Sequence, residues 1–236
     1  TLAGRVMEKE LTALNRIFNP ERPSVFVVGG AKVDTKLAII KNILKNGKAD
    51  KILVGGLLTN LFLTAKGYDI GKVNREAIDK FNDYLKQTEN ILKEYEEHIE
   101  LPIDVAIDRG GGRYEIPCDE INENCRILDI GLETIIKYSN IIVKGKTVVA
   151  NGPLGAYERG DFSLGSKEVL DAMSHCKHYT VVGGGELGSY ADLLGISDKI
   201  THLSTGGGAT LALLSGEELP VIKALSECAK KYRRAA

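Results

Sequence analysis

"VFVVGGAKVDTKLAII", residues 25–40, decides the fold. Four apolar, mostly β-branched residues stop at Gly29-Gly30, two lysines follow four residues apart, and a helical pattern then runs through Leu37, Ile40 and Leu44. Strand, glycine turn and helix is the layout of a phosphate-binding loop, although the common G-x-x-x-x-G-K-[ST] form is absent. Lys32 and Lys36 share a helix face. Both fall in the first turns after the glycine pair, where a phosphate would lie. That position favours a ligand role over two solvated helix lysines.

The same unit recurs along the chain. "KILV" (51–54) runs into Gly55-Gly56 and "TVVA" (147–150) into "NGPLG"; "YTVV" (179–182) runs into "GGGELGS" and "ITHLS" (200–204) into "TGGGATLALLSG". Four of the five turns lead directly into a helix, and the one after Asn151 takes a longer route. Repeated units of this kind predict an α/β fold. It is a Rossmann-like three-layer sandwich, with a mainly parallel sheet and helices on both faces. All five turns then sit at the carboxyl edge of the strands, where ligands bind. Their glycines let backbone N–H groups approach an anion, and the helices aim their positive ends at it.

Other segments complete the pattern. A helix is expected over 5–18, ended by Pro20 and Pro23. A long amphipathic helix is expected over 73–98, with its charged face in solvent. "DVAI" (104–107) reads as a strand, "DRGGGRYEIPCDEINENC" as loop, 132–143 as a helix and 218–232 as the last helix.

Composition excludes several classes. The chain has 236 residues, 43% hydrophobic and 27% charged, with Lys+Arg 31 against Asp+Glu 32. This balance suits a globular protein and argues against nucleic acid as a partner. No apolar run approaches the length of a membrane helix. Cys118, Cys125, Cys176 and Cys228 form no C-x-x-C pair and read as reduced thiols of a cytoplasmic protein. Thr1 is followed at once by a helical pattern, so the chain is expected to be a piece of a longer one. "HCKH" (175–178) lacks a partner pair at metal-ligand spacing.

Gly183, Gly185 and Gly188 match G-x-G-x-x-G, but the fingerprint also needs a carboxylate about 20 residues on, at the end of the next strand. "THLSTGGG" stands there instead, which argues against a nicotinamide or flavin cofactor. In "NGPLGAYE" (151–158), Asn151 offers an amide and Glu158 a carboxylate, yet a tight connection with incidental polarity reads equally well. Glu186 is either a favourable first-turn carboxylate or a Mg²⁺ ligand acting through a nucleotide phosphate, and spacing does not choose.

Taken together, "GGAKVDTK" (29–36), "VGGLLTNLFLTAKGYDIGK" (54–72), "ANGPLGAYE" (150–158), "VVGGGE" (181–186) and "THLSTGGGATLALLSGEELP" (201–220) resemble the C-terminal, nucleotide-binding half of phosphoglycerate kinases, in the family's order. The resemblance implies that residues 1–236 are one nucleotide-binding domain taking Mg-ATP or Mg-ADP. It implies an enzyme that moves a phosphoryl group reversibly between ATP and 3-phosphoglycerate. Gly30, Ala31 and Lys32 would lie against the nucleotide, and Lys36 would reach the terminal phosphates. Gly55 and Gly56 would help form the adenine pocket. Asn151, Gly152, Pro153 and Gly155 would border the nucleotide, with Glu158 on the ribose. Gly184 and Gly185 would approach the phosphates, Glu186 would hold Mg²⁺, and Gly206, Gly207 and Gly208 would face the transferring group. Leu57 replaces a usual third glycine, Glu186 a usual aspartate, Leu187 a Ser or Thr, and "DIGL" (129–132) a usual "DIGP". The family binds 3-phosphoglycerate on its N-terminal half, so this chain is expected to hold half an active site and to be inactive alone. The alternative is a non-catalytic nucleotide-binding or interaction module that has kept the loops.

Overall fold

A computed structural model describes residues 4–122, 125–217 and 219–233. Six strands form one parallel sheet: β1 (Ser24–Val28), β2 (Lys51–Val54), β3 (Ile99–Glu100), β7 (Thr147–Asn151), β8 (Tyr179–Gly183) and β9 (His202–Leu203). Their order is β3-β2-β1-β7-β8-β9, and every pairing is parallel. The chain builds outward from β1 in one direction and then restarts at β7 in the other. The order therefore reverses between β1 and β7, the place where open α/β sheets hold ligands.

Register aligns the strand ends. Val28 pairs with Val54 and with Asn151, and Asn151 pairs with Gly183. The turns after β1, β2, β7 and β8 consequently leave the sheet at one level.

Alternation along the strands fills two cores. Phe26, Val28, Ile52, Val54 and Val181 face one layer. That layer holds α1 (Arg5–Phe18), α2 (Val33–Lys45), α3 (Leu58–Ala65), α4 (Gly71–Arg75) and α5 (Phe81–Tyr95). Val25, Val27, Leu53, Val148 and Val182 face the other. There lie α6 (Leu132–Ile142), α7 (Leu164–Ser174) and α8 (Gly185–Leu193). The expected three-layer sandwich is present. α9 (Gly207–Leu214) and α10 (Pro220–Arg233) follow β9.

Two elements differ from expectation. First, the segment read as loop after 107 contains strands. β4 (Asp104–Arg109), β5 (Gly112–Pro117) and β6 (Ile127–Ile130) form an antiparallel sheet in the order β5-β4-β6. Arg109 pairs with Gly112, which leaves Gly110-Gly111 as a two-residue loop with φ of 65° and 88°. Positive φ at both positions is the geometry whose twist suits a hairpin, and paired glycines adopt it without strain. Second, the helix expected over 73–98 is broken. Lys80, at φ 57°, redirects the chain between α4 and α5. Neither Gly nor Pro marks the break. Ile78 and Phe81 both turn inward there, so burial rather than local propensity sets it.

Candidate functional site

The turns after β1, β2 and β7 are stitched together by their backbones. Gly29 N–H donates to Asn151 O at 3.0 Å, Gly30 N–H to Pro153 O at 2.7 Å, Gly56 N–H to Leu154 O at 2.8 Å and Leu57 N–H to Gly30 O at 3.2 Å. Such contact leaves no room for side chains. A Cβ on Gly29 would lie 2.3 Å from Pro153 O, and one on Gly152, whose φ is +84°, would lie 2.4 Å from Gly29 O. One on Gly55 would lie 2.1 Å from Leu154 Cδ2. Gly29, Gly55 and Gly152 thus serve loop-to-loop packing.

The two lysines diverge. Lys32 is the exposed N-cap residue of α2. Lys36 is only 5% exposed. Its Nζ donates to Asn151 O at 3.1 Å and also meets Asn151 Oδ1. Burial pushes the Lys36 ammonium down to about 8; Glu186 opposes that shift and Lys32 adds to it. Asn151 Nδ2 is buried and has no hydrogen-bond partner among the described residues. A cation and an unused donor therefore lie together beneath the β7 turn. α2 and α8 both begin without a side-chain cap, which leaves first-turn amides for an anion.

A cavity of about 350 Å³ opens above this stitching. Of the residues expected in the site, Gly30, Ala31, Gly56, Pro153, Gly155, Glu158 and Glu186 line it. Lys36, Asn151, Gly55 and Gly152 lie among the stitched turns instead. Gly184, at φ +96°, caps α8, and Gly185 begins that helix. Leu57, Leu128 and Ala156 supply apolar wall, and Glu158 sits exposed at the rim.

The wall is braced from the antiparallel sheet. Asp129 Oδ2 accepts from Arg113 Nη1 at 2.8 Å and from Gly165 N–H at 2.7 Å, while Oδ1 accepts from Ile130 N–H at 2.9 Å. Ala156 N–H donates to Leu128 O at 2.7 Å. Burial pushes the Asp129 carboxyl up to about 6, against the pull of the Gly165 amide, Arg113 and the Ile130 amide.

Gly206–Gly208 follow β9, the strand next to β8. Gly206 lines a separate apolar cavity of about 550 Å³ between α1, α9 and α10. Glu10 of α1 holds the preceding loop. It accepts from Thr205 N–H at 2.8 Å and from Ser204 Oγ at 2.9 Å, and His202 Nε2 is 3.3 Å away. Burial favours the protonated acid, but the Thr205 amide, Ser204 and His202 together hold Glu10 below the usual carboxylate range.

Sequence reasoning missed Asn60, Asn74, Arg126 and Asp129, all on the cavity wall. A signal existed for Asp129: Gly110-Gly111 between alternating residues marks a hairpin, and the strand after it carries "DIGL". For Asn60, a polar residue within the apolar run "LLTNLFL" was the only hint.

Among the described residues, no three His, Cys, Asp or Glu side chains gather as a metal cage, and no helix is long and apolar enough to cross a membrane. Glu186, at the first turn of α8 and on the cavity wall, fits the weaker requirement of Mg²⁺. That ion is usually bound by one or two carboxylates together with substrate phosphates.

Comparison with known proteins follows the same lines. The family profile described as phosphoglycerate kinase matches residues 1–217. The phosphoglycerate kinase of Methanothermus fervidus is 46% identical over 97% of this chain and 56% of its own length. That of Archaeoglobus fulgidus is 44% identical over 98% of this chain and 58% of its own. The crystal structure of the Pyrococcus horikoshii phosphoglycerate kinase superposes with a TM-score of 0.89 at 41% identity, over 97% of this chain and 58% of that one. The chain thus spans somewhat more than half the length of the relatives it matches.

Proposed function

This chain belongs to the phosphoglycerate kinase family, and from that premise we propose that its sheet edge is the nucleotide-binding half of an enzyme that moves a phosphoryl group reversibly between ATP and 3-phosphoglycerate. The observation that carries the reading is the cavity across the carboxyl ends of β2, β1, β7 and β8, walled by the turns that follow them.

In the reaction, the bond between the terminal phosphorus of ATP and its bridging oxygen breaks. A new bond forms to a carboxylate oxygen of 3-phosphoglycerate, and the electron pair stays with ADP. Such a transfer needs positioning and charge neutralisation rather than covalent help. Gly30 and Ala31 pack against the nucleotide, Glu158 takes the ribose, and Leu57, Leu128 and Ala156 enclose the base. Lys32, Lys36, Asn151 Nδ2 and the amides at Gly184 and Gly185 face the phosphates. Gly206–Gly208 receive the group in transfer. Glu186 would hold Mg²⁺, which supplies neutralisation of phosphate charge when bound with the nucleotide.

The acceptor belongs to the part of the relatives' length that this chain does not span. The chain, one nucleotide-binding domain over 1–236, therefore binds Mg-ADP and Mg-ATP but does not turn over alone. We infer a cytoplasmic protein, since a reducing compartment would keep the buried thiols Cys118, Cys125 and Cys176 reduced. Calorimetric titration with Mg-ADP, with NAD as control, tests the reading. Saturable ADP binding weakened by Lys32→Ala is expected, and absence of ADP binding overturns it.

A further inference from the structure

Asn60 stands in the first turn of α3, 1% exposed, on the cavity wall. Its Nδ2 donates to Asn74 O at 2.8 Å. Asn74 is fixed in turn: its Nδ2 donates to Ile70 O and Cys125 O, both at 2.6 Å, and its Oδ1 accepts from Ile127 N–H at 2.9 Å. The orientation of the Asn60 amide follows. Reversed, its oxygen would face the carbonyl of Asn74. In the orientation present, Oδ1 is buried and accepts no hydrogen bond from the described residues. An unpaired buried acceptor is costly in a folded chain, and a ligand that donates to it recovers that cost.

Sheet order says which part of a ligand meets it. Asn60 follows β2, and Glu186 follows β8, with β1 and β7 between them. Strands lie about 4.8 Å apart, so the two residues mark ends of the cavity roughly 14 Å apart along the sheet edge. The β7 and β8 end carries Lys36, the unused Asn151 donor and the uncapped start of α8. The β2 end carries Leu57 and Leu128, surfaces suited to the faces of a planar ring. Phosphates belong at the first end and the base at the second.

Given the nucleotide site proposed above, on which this rests, we infer that Asn60 Oδ1 reads the nucleobase by accepting a hydrogen bond from a purine's six-position amine. A purine with an oxygen at that position sets two acceptors against each other, and neither is satisfied. A site built to hydrogen-bond a substrate group rejects the analogue lacking it, because its own buried polar atom stays unpaired.

The test uses the purified chain and three Mg²⁺-loaded diphosphates differing only at that position: ADP, inosine diphosphate and the diphosphate of purine riboside. Calorimetry is expected to show ADP bound about tenfold tighter than either of the others. Asn60→Leu should reduce ADP to the level of inosine diphosphate and leave inosine diphosphate within about twofold, a pattern that misfolding cannot produce. Should that variant fail to fold, the ligand series on the unaltered chain decides alone. Equal affinity for all three overturns the inference and leaves the nucleotide site standing. Failure of all three to bind overturns the nucleotide reading as well.

Discussion

Lys36 and Asn151 meet beneath the turns that leave β1 and β7: the lysine Nζ, nearly enclosed, donates to the Asn151 carbonyl at 3.1 Å. An ammonium in that place lacks most of its water, which is why burial lowers its pKa from 10.5 to about 8. Between those values the unfolded chain holds the proton more often than the folded one. Stability therefore rises with pH across this window, by about 3 kcal/mol for the full shift. Lys36→Met should remove that rise, which urea unfolding at several alkaline pH values would reveal.

The same lysine makes a binding prediction. Phosphate brought near it favours the charged form, so its pKa climbs when Mg-ADP binds. At a pH just above 8 the complex should take up a fraction of a proton. Calorimetry in buffers of different ionisation enthalpy measures that uptake directly. Uptake unchanged in Lys36→Met would assign it to another group.

Glycine substitutions should separate packing from ligand approach. Gly29→Ala and Gly152→Ala drive a methyl into backbone oxygen, and each should destabilise by about 2 kcal/mol or more. A Cβ on Gly185 meets nothing within 4 Å. Gly185→Ala should fold about as well, since its methyl meets no neighbour, yet bind Mg-ADP more weakly. Melting temperature and titration together distinguish the two effects.

Arg113→Met strands a buried carboxylate. Asp129 keeps its backbone donors but loses its cation, and a cost of about 3–5 kcal/mol is expected near neutral pH. The folded-state pKa of Asp129 is already raised to about 6 and should rise further in the variant. The stability attached to that raised value is present in full below the unfolded pKa and lost as pH rises through the folded one. The variant's deficit should consequently shrink toward pH ~5. Chemical unfolding compared across the acid range checks it.

Glu10→Ala should release the loop after β9 from α1. Hydrogen bonds to a charged group contribute about 1.5–3 kcal/mol. Because the Glu10 pKa is lowered from 4.5, that contribution is present above 4.5 and lost as pH falls through the folded value. Wild type and variant should converge in acid.

The parallel sheet was legible because Val25–Val28, Ile52–Val54 and Val148–Ala150 are continuously buried runs, each closed by a residue the turn demands. The antiparallel strands were obscured for the opposite reason. Tyr114 is exposed and Arg113 half-buried, so β5 shows little apolar signal. Among site residues, those in glycine turns could be read from spacing. Asn60 could not, since it owes its place to Asn74, and Asp129 only indirectly, through the hairpin glycines before its strand, because its partner Gly165 is distant in sequence. Its place in the first turns after Gly29-Gly30 points Lys36 to a ligand. Nothing local says that it turns inward to Asn151.

Residues 152–165 touch both sheets: Pro153 O receives Gly30, Ala156 N–H reaches Leu128, and Gly165 N–H reaches Asp129. This segment is a strap. Opening it exposes the crossing point of the large sheet and frees one side of the small one in the same event. Amide exchange in β1, β6 and β7 should accordingly report a single cooperative opening, with the small sheet sharing the fate of the large one although no strand pairing joins them among the described residues.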